Sequence, residues 1–232
     1  MTPTVSGLEP PEEKQEAAEA LSRKQGVIFV LENASLETAK VGKDFKLLNC
    51  DDHAQFLKRH GKDPADYRPD IAHQALLAIL DSPLAKAGKL KALYIHTRKN
   101  VLIEVNPQVR IPRTFKRFCG LLVQLLQKLS IRATNGPDKL LKVIKGPITK
   151  HFPLNAERVG LSHKSAEIVT LPEYVKSVSE ERIPIFVVGA MAHGKIDITY
   201  VDKFMSISQY PLSAAYCIGR ITNALEQHWN II

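Results

Sequence analysis

Cysteine pairs, long apolar runs, internal repeats and clustered metal ligands are what this sequence lacks, and each absence closes off a class of protein. Its three cysteines, Cys50, Cys119 and Cys217, lie far apart with no Cys-x-x-Cys pair, which argues against both a zinc module and a disulfide framework. They read as buried thiols. The longest apolar runs, "VIFVL" and "IFVVGAMA", fall far short of the roughly 18 to 20 residues that a membrane span needs. No signal-peptide pattern opens the chain, so a soluble intracellular protein with no membrane partner is expected. "NCDDH" (Asn49 to His53) has a metal-like composition, but adjacent residues cannot all face one ion, and helix capping by Asp51 or Asp52 accounts for it more simply. No metal site is expected.

What is present is a core-forming chain with a localised positive charge. At 232 residues and 44% apolar content, the length suits one large domain, or one domain plus a tail. The net charge is +8, yet residues 1 to 25 hold five Glu against two Lys and one Arg, a net of −2, so the remainder carries +10. Residues 101 to 151 alone contain ten Lys or Arg against Glu104 and Asp138, which is +8. The densest part is "RIPRTFKRF" (residues 110 to 118), four cations with no acid between them. Arg110 and Arg113 precede the helix that follows rather than decorating it, and Arg suits bidentate phosphate recognition. The pattern is the footprint expected for nucleic acid, ahead of an acidic membrane surface or a merely solvated helix face, and it does not separate RNA from DNA.

The first 24 residues are polar and rich in Pro and Glu and read as a disordered tail able to carry a short helix. The domain expected over 25–232 begins with "QGVIFVLE", the pattern of a strand buried on both faces of a parallel sheet. Two helical stretches follow around the turn-rich "GKDPADYRP", with Asp70 placed to cap the second. "LKALYIHTRKNVLIEV" reads as a hairpin turning at "RKN". From Thr114 the apolar positions Phe115, Phe118, Leu122, Leu125, Leu126 and Leu129 recur at helical spacing as far as "TNGPD", and Lys139, Lys142 and Lys145 suggest a basic face on another short helix. The C-terminal third supplies a buried strand, "IPIFVVG", then a short strand, a tight loop and a final helix from near Ser213. The alternation predicts an α/β fold: a mostly parallel sheet with helices on both faces, ligands at the carboxyl ends of its strands, and a basic helical and hairpin insertion.

Two loops sit at such ends. "GAMAHGK" (Gly189 to Lys195) satisfies Gly-x-x-x-x-Gly-Lys, but Ile196 stands where a phosphate-binding loop needs a Ser or Thr hydroxyl, and "IDITYV" is β-branched where a helix should start. A tight turn, or glycines that let backbone approach a flat ligand, remain. "SISQYPLSA" (Ser206 to Ala214) reads as a capped connection or a ligand loop, and "YRPD" (Tyr67 to Asp70) as a surface Arg beside a capping Asp.

Taken together, "VLENASLETAKVGK", "LLNCDDH", "DYRPDIAHQALLAILDSPLAKAGKL", "LIEVNPQVRIPRTFKRFCGLLVQLLQKLSIR", "LLKVIKGPITKHFP", "FVVGAMAHGK" and "SISQYPLSAA" resemble the eukaryotic pseudouridine methyltransferases of small-ribosomal-subunit assembly, in the trefoil-knot (SPOUT) class. The likeness runs from about residue 27 to the C-terminus. It implies a C-terminal trefoil knot, one of the exceptions to unthreaded topology. It also implies a homodimer, S-adenosylmethionine as cofactor, N1 of a pseudouridine in a small-subunit rRNA stem-loop as target, pre-ribosome assembly factors as partners, and the nucleus and nucleolus as location. By matching motif, Leu161, Gly189, Gly194, Ile207, Ser208, Gln209, Tyr210, Pro211 and Leu212 would line the cofactor. Gln209 stands where close relatives are expected to carry Asn, a change that a backbone contact survives. The resemblance puts the catalytic pair Arg68 and Asp70 at the target nucleotide, with Arg68, Arg110, Arg113 and Arg117 on the RNA. A non-enzymatic rRNA-binding assembly scaffold is the rival reading, against which the two intact loops count.

Overall fold

In β1 (Val27–Ala34) successive side chains go to opposite faces and nearly all are buried, so the strand belongs in the middle of a sheet covered on both sides. The computed structural model, which describes residues 25–133 and 136–232, puts it there. The tail expected over residues 1–24 lies outside the described residues. Strand β1 pairs in parallel with β4 (Leu90–Thr97) and with β9 (Ile183–Gly189), and β8 (Ala156–Leu161) and β10 (Lys203–Met205) continue the parallel half. The other half is antiparallel: β4 turns into β5 (Leu102–Val105), followed in space by β7 (Lys139–Ile144) and β6 (Ser130–Arg132). The eight strands run in the order β10-β8-β9-β1-β4-β5-β7-β6. A separate hairpin joins β2 (Thr38–Val41) and β3 (Asp44–Leu47).

The odd-numbered positions Val27, Phe29 and Leu31 face the larger core cluster. It is roofed by α2 (Pro69–Leu80), α3 (Pro83–Lys86), α4 (Phe115–Lys128), α5 (Leu171–Ser177) and α6 (Ala214–His228). The even-numbered Ile28 and Val30 face a smaller cluster, covered by the 3₁₀ turn Ile148–His151 and by a long loop bringing Met191, Ile196, Ile198, Tyr200 and Val201 onto the sheet. The α/β class with a mostly parallel sheet is as expected. The cover is unequal: among the described residues the second face carries a loop and a 3₁₀ turn in place of α-helices.

Four local readings differ from the structure. Lys139, Lys142 and Lys145 do not lie on a helix, because residues 139–144 form β7 between β5 and β6. Pairing on both sides overrode a three-residue spacing. Helix α4 stops at Lys128, short of "TNGPD", where Leu129 takes a left-handed conformation (φ 62°). A leucine there is strained, but Leu129 then accepts from the Val143 N–H at 2.8 Å as β6 begins. In "NCDDH", Asn49 is the cap of α1 (Cys50–Arg59): its side chain accepts from the N–H groups of Asp51 and Asp52, which occupy the first turn. The three thiols are half-buried rather than fully buried.

Candidate active site

Because β8, β9 and β10 are parallel neighbours, they end side by side at Leu161, Gly189 and Met205. The loops that leave them enclose a cavity of about 540 Å³, within the range of small-molecule sites. Its apolar wall comes from Leu161, Val188, Ile196, Met205, Ile207 and Leu212, and the more exposed His163, Lys164, His193 and Lys195 stand around it. The loop after β8 folds round the end of β10: Ser162 N–H donates to Met205 O (3.0 Å), Ser206 N–H to Glu167 O (2.8 Å) and Val169 N–H to Ser206 O (2.9 Å). Arg220 of α6 donates to Ile207 O at 2.9 Å, and Ser208 Oγ accepts from Tyr210 N–H at 3.0 Å. Ser213 caps α6 by accepting from Tyr216 N–H, where the sequence placed that helix start. Among the described residues no hydrogen bond occupies the backbone N–H groups of Ile207 and Leu212, both residues of the wall.

The two glycines of this wall work differently. A Cβ on Gly189 would lie 3.3 Å from Met191 Cε and 3.5 Å from Ile196 Cγ1, both on the wall, so a larger side chain there must displace wall residues. Gly194 has open space around it but a φ of +99°, a conformation that costs other residues about 1 to 3 kcal/mol. Apolar walls with cations at the edge fit a partly apolar molecule that carries a negative charge.

Of the residues expected to line a cofactor, Leu161, Gly189, Gly194, Ile207, Ser208, Tyr210, Pro211 and Leu212 all reach this cavity, whereas Gln209 is exposed and off its wall. Ser162, His163 and Lys164, brought in by the strand pairing, and Cys217, in the first turn of α6, also line it and carried no local sequence signal.

Arg68 and Asp70 form a second assembly. Arg68 Nε and an Nη donate to the two oxygens of Asp70 at 2.8 and 2.7 Å, a fork-to-fork pair. The N-cap position of α2 is Arg68, with Pro69 as first helical residue, so Asp70 sits inside the first turn and is not the cap. There its negative charge still complements the helix N-terminus. The Arg68 hydrogen bonds hold the Asp70 carboxyl below its usual range. Cys50 N–H donates to Tyr67 O at 2.9 Å, which sets the pair beside the start of α1.

The sign of this shift makes a prediction. A depressed carboxyl contributes stability above its unfolded value of about 3.9, and the contribution is lost as pH falls through the lower folded value. Melting of Asp70→Asn should therefore lag the unaltered chain by a constant margin from about pH 6 to 8, with the margin closing below about pH 4. A margin that does not narrow at all as the pH falls below about 4 would assign the loss to packing and not to the pair.

The basic stretch is a surface. Arg110, Arg113, Lys116 and Arg117 are all exposed. Arg113 pairs with Asp81 at 3.1 Å, while Arg110, Lys116 and Arg117 have no acidic partner among the described residues. The stretch is tied to α2 by His73, a buried residue one helical turn beyond Asp70. Its Nε2 donates to Pro112 O at 2.7 Å, and its ring stacks on Phe118 at 4.4 Å. One helix thus positions both the Arg68–Asp70 pair and the loop that presents Arg110 and Arg113. None of these residues lines the cavity of its own chain.

Comparison with known proteins meets this geometry. The chain is 56% identical over 206 residues to the ribosomal RNA small subunit methyltransferase NEP1 of Mus musculus, covering 89% of this chain and 83% of the relative. It is 49% identical over 212 residues to nep-1 of Caenorhabditis elegans, with 91% of each covered. Its fold matches the crystal structure of Archaeoglobus fulgidus Nep1 bound to S-adenosylhomocysteine with a TM-score of 0.65 at 23% identity, over 89% of this chain and all of that one. The family described as EMG1/NEP1 methyltransferase matches residues 29–226, a span that takes in the cavity, the Arg68–Asp70 pair and the basic stretch alike, and the chain belongs to that family.

Proposed function

We propose that this chain is an S-adenosylmethionine-dependent methyltransferase acting on N1 of a pseudouridine in a small-subunit rRNA stem-loop. In this reading it works as a homodimer, serves small-subunit assembly alongside other assembly factors, and resides in the nucleus and nucleolus. The observation that carries the reading is the cavity at the ends of β8, β9 and β10, in a methyltransferase family whose relatives are named for small-subunit rRNA. The trefoil threading belongs to the same reading. It is supported by the 162–169 loop folded round residues 205–206 and by α6 passing on to pack against α2, α3 and α5.

S-adenosylmethionine, when bound, supplies an electrophilic methyl group. The protein's work is then to align a nitrogen with it and exclude water. Leu161, Ile196, Met205 and Ile207 offer the apolar slot for a flat ring, the N–H groups of Ile207 and Leu212 the polar contacts, and Lys164 or Lys195 a counter-charge for a carboxylate. Arg68, fixed by Asp70 and outside the cavity of its own chain, would act at the cavity of the partner subunit in this homodimer reading, stabilising negative charge that develops on the target ring as N1–H gives up its proton to solvent. The exposed arginines hold RNA phosphates while the target nucleotide is unstacked, which costs least in a single-stranded loop.

Two measurements bear on this. Digestion of a pseudouridine stem-loop after incubation with the protein and S-adenosylmethionine should yield N1-methylpseudouridine, and the uridine analogue, whose N1 carries the ribose, should yield no methylated nucleoside; equal methylation of both overturns the target assignment. Arg113→Ala should weaken RNA binding and reduce the slope of log affinity against log salt by roughly 0.7, the value of one single-strand phosphate contact. Its exposed pairing with Asp81 is worth at most about 1 kcal/mol of stability, so folding should be nearly unaffected. An unchanged slope would remove Arg113 from the RNA surface.

A further inference from the structure

The segment that walls the cavity between β9 and β10 is held at both ends by one residue outside the cavity. Glu32 lies near the end of β1, in register with Gly189, and is 2% exposed. Its backbone carbonyl accepts from Ala190 N–H at 2.8 Å, where the segment starts. Its Oε2 accepts from the Tyr200 hydroxyl at 2.7 Å, where the segment returns over the second sheet face. Between these anchors, Met191 to Ile196 line the cavity.

We propose that Glu32 is a positioning residue for the cofactor wall, clamping the 190–200 segment so that Gly194 and Ile196 keep the shape the ligand needs. The proposal rests on the reading of the cavity as the S-adenosylmethionine site. Glu32 is itself held: its Oε1 faces His96 Nδ1 at 2.6 Å, and His96 Nε2 faces Asn100 Oδ1 at 2.9 Å. Both ring nitrogens thus meet oxygen, the pattern of an imidazolium, and the Glu32 hydrogen bond raises the His96 pKa against the opposing effect of burial. Glu32 and Asn100 are the polar groups that face the ring, and Tyr200 faces the far oxygen of Glu32. Tyr200 packs its ring on Phe152 at 5.9 Å, so a phenylalanine in its place keeps the packing and removes only the anchor.

The test is S-adenosylhomocysteine affinity measured well below the melting temperature. Tyr200→Phe should weaken binding about tenfold, the usual worth of one hydrogen bond to a charged group. Glu32→Gln carries the discriminating readout. Its carbonyl can accept from Tyr200, and its amide can donate to Nδ1 of a neutral His96. Affinity should therefore be near that of the unaltered chain at about pH 8 and fall several-fold at about pH 6, where a histidine with an ordinary pKa near 6.5 takes up its proton. The unaltered chain should change less than twofold, because its carboxylate accepts from either form of the ring. A merely structural role does not produce a pH dependence confined to Glu32→Gln. Unchanged affinity in Tyr200→Phe, with a flat pH profile in Glu32→Gln, overturns the proposal. No binding by the unaltered chain overturns instead the cofactor reading beneath it.

Discussion

Gly189→Arg should abolish measurable S-adenosylhomocysteine binding, a loss of at least about 100-fold, while leaving the chain folded. The expectation follows from contact. The added Cβ meets Met191 Cε and Ile196 Cγ1, both wall residues, so an arginine there has to displace the wall that shapes the cavity. A methyl group alone meets the end of a flexible methionine, and Gly189→Ala should cost much less. Gly194→Arg should also lose binding, by a different route: its space is open, but its φ of +99° forces the loop to re-form around any side chain. The pair therefore separates a clash with the wall from backbone strain. Gly194→Ala should already weaken binding, whereas Gly189→Ala should nearly spare it. The reverse order would show that the wall is shaped differently from this account. Titration calorimetry, with melting curves to confirm folding, reads all four variants.

Arg68→Ala should lower turnover at saturating RNA and cofactor by about 100-fold or more, the scale seen when one donor to a developing anion is removed. Its effect on RNA affinity should be small beside that. The argument is the fixed fork: with both Asp70 oxygens occupied, the guanidinium is pre-oriented, and a charge that needs no reorganisation acts mainly on the transition state. Arg113, by contrast, is exposed on the surface loop and should act on affinity alone. Single-turnover rates and binding constants for the two alanine variants, measured at one salt concentration, make the comparison. Equal losses of affinity with equal turnover in both would end the division of roles.

Much of this was legible in the sequence where a signal is local. The apolar run of β1, the hairpin turning at "RKN", the stripe of α4 from Phe115 and the cap at Ser213 each declare themselves within a dozen residues, and the structure follows them. Local signals failed where distant partners decide. Residues 139–144 look helical by the spacing of their lysines, but β5 and β6 claim them from both sides. Asp70 has a capping residue's composition and lies two residues too late. The clamp was invisible for the same reason: Glu32, His96 and Tyr200 are separated by 64 and 168 positions and meet only because β1, β4 and β9 are adjacent strands. The cavity was half legible, through its glycines and the "SISQYPLSA" loop, while Ser162 to Lys164 enter only through the pairing of β8 with β10.

The most direct measurement is a calorimetric titration of the purified, unaltered chain with S-adenosylhomocysteine, alone and with a pseudouridine stem-loop. The account predicts saturable binding at one site per chain that Gly189→Arg eliminates. Folded protein that takes up no ligand in either condition would contradict it, leaving the basic stretch and Arg68 as an RNA-holding surface without a methyl donor.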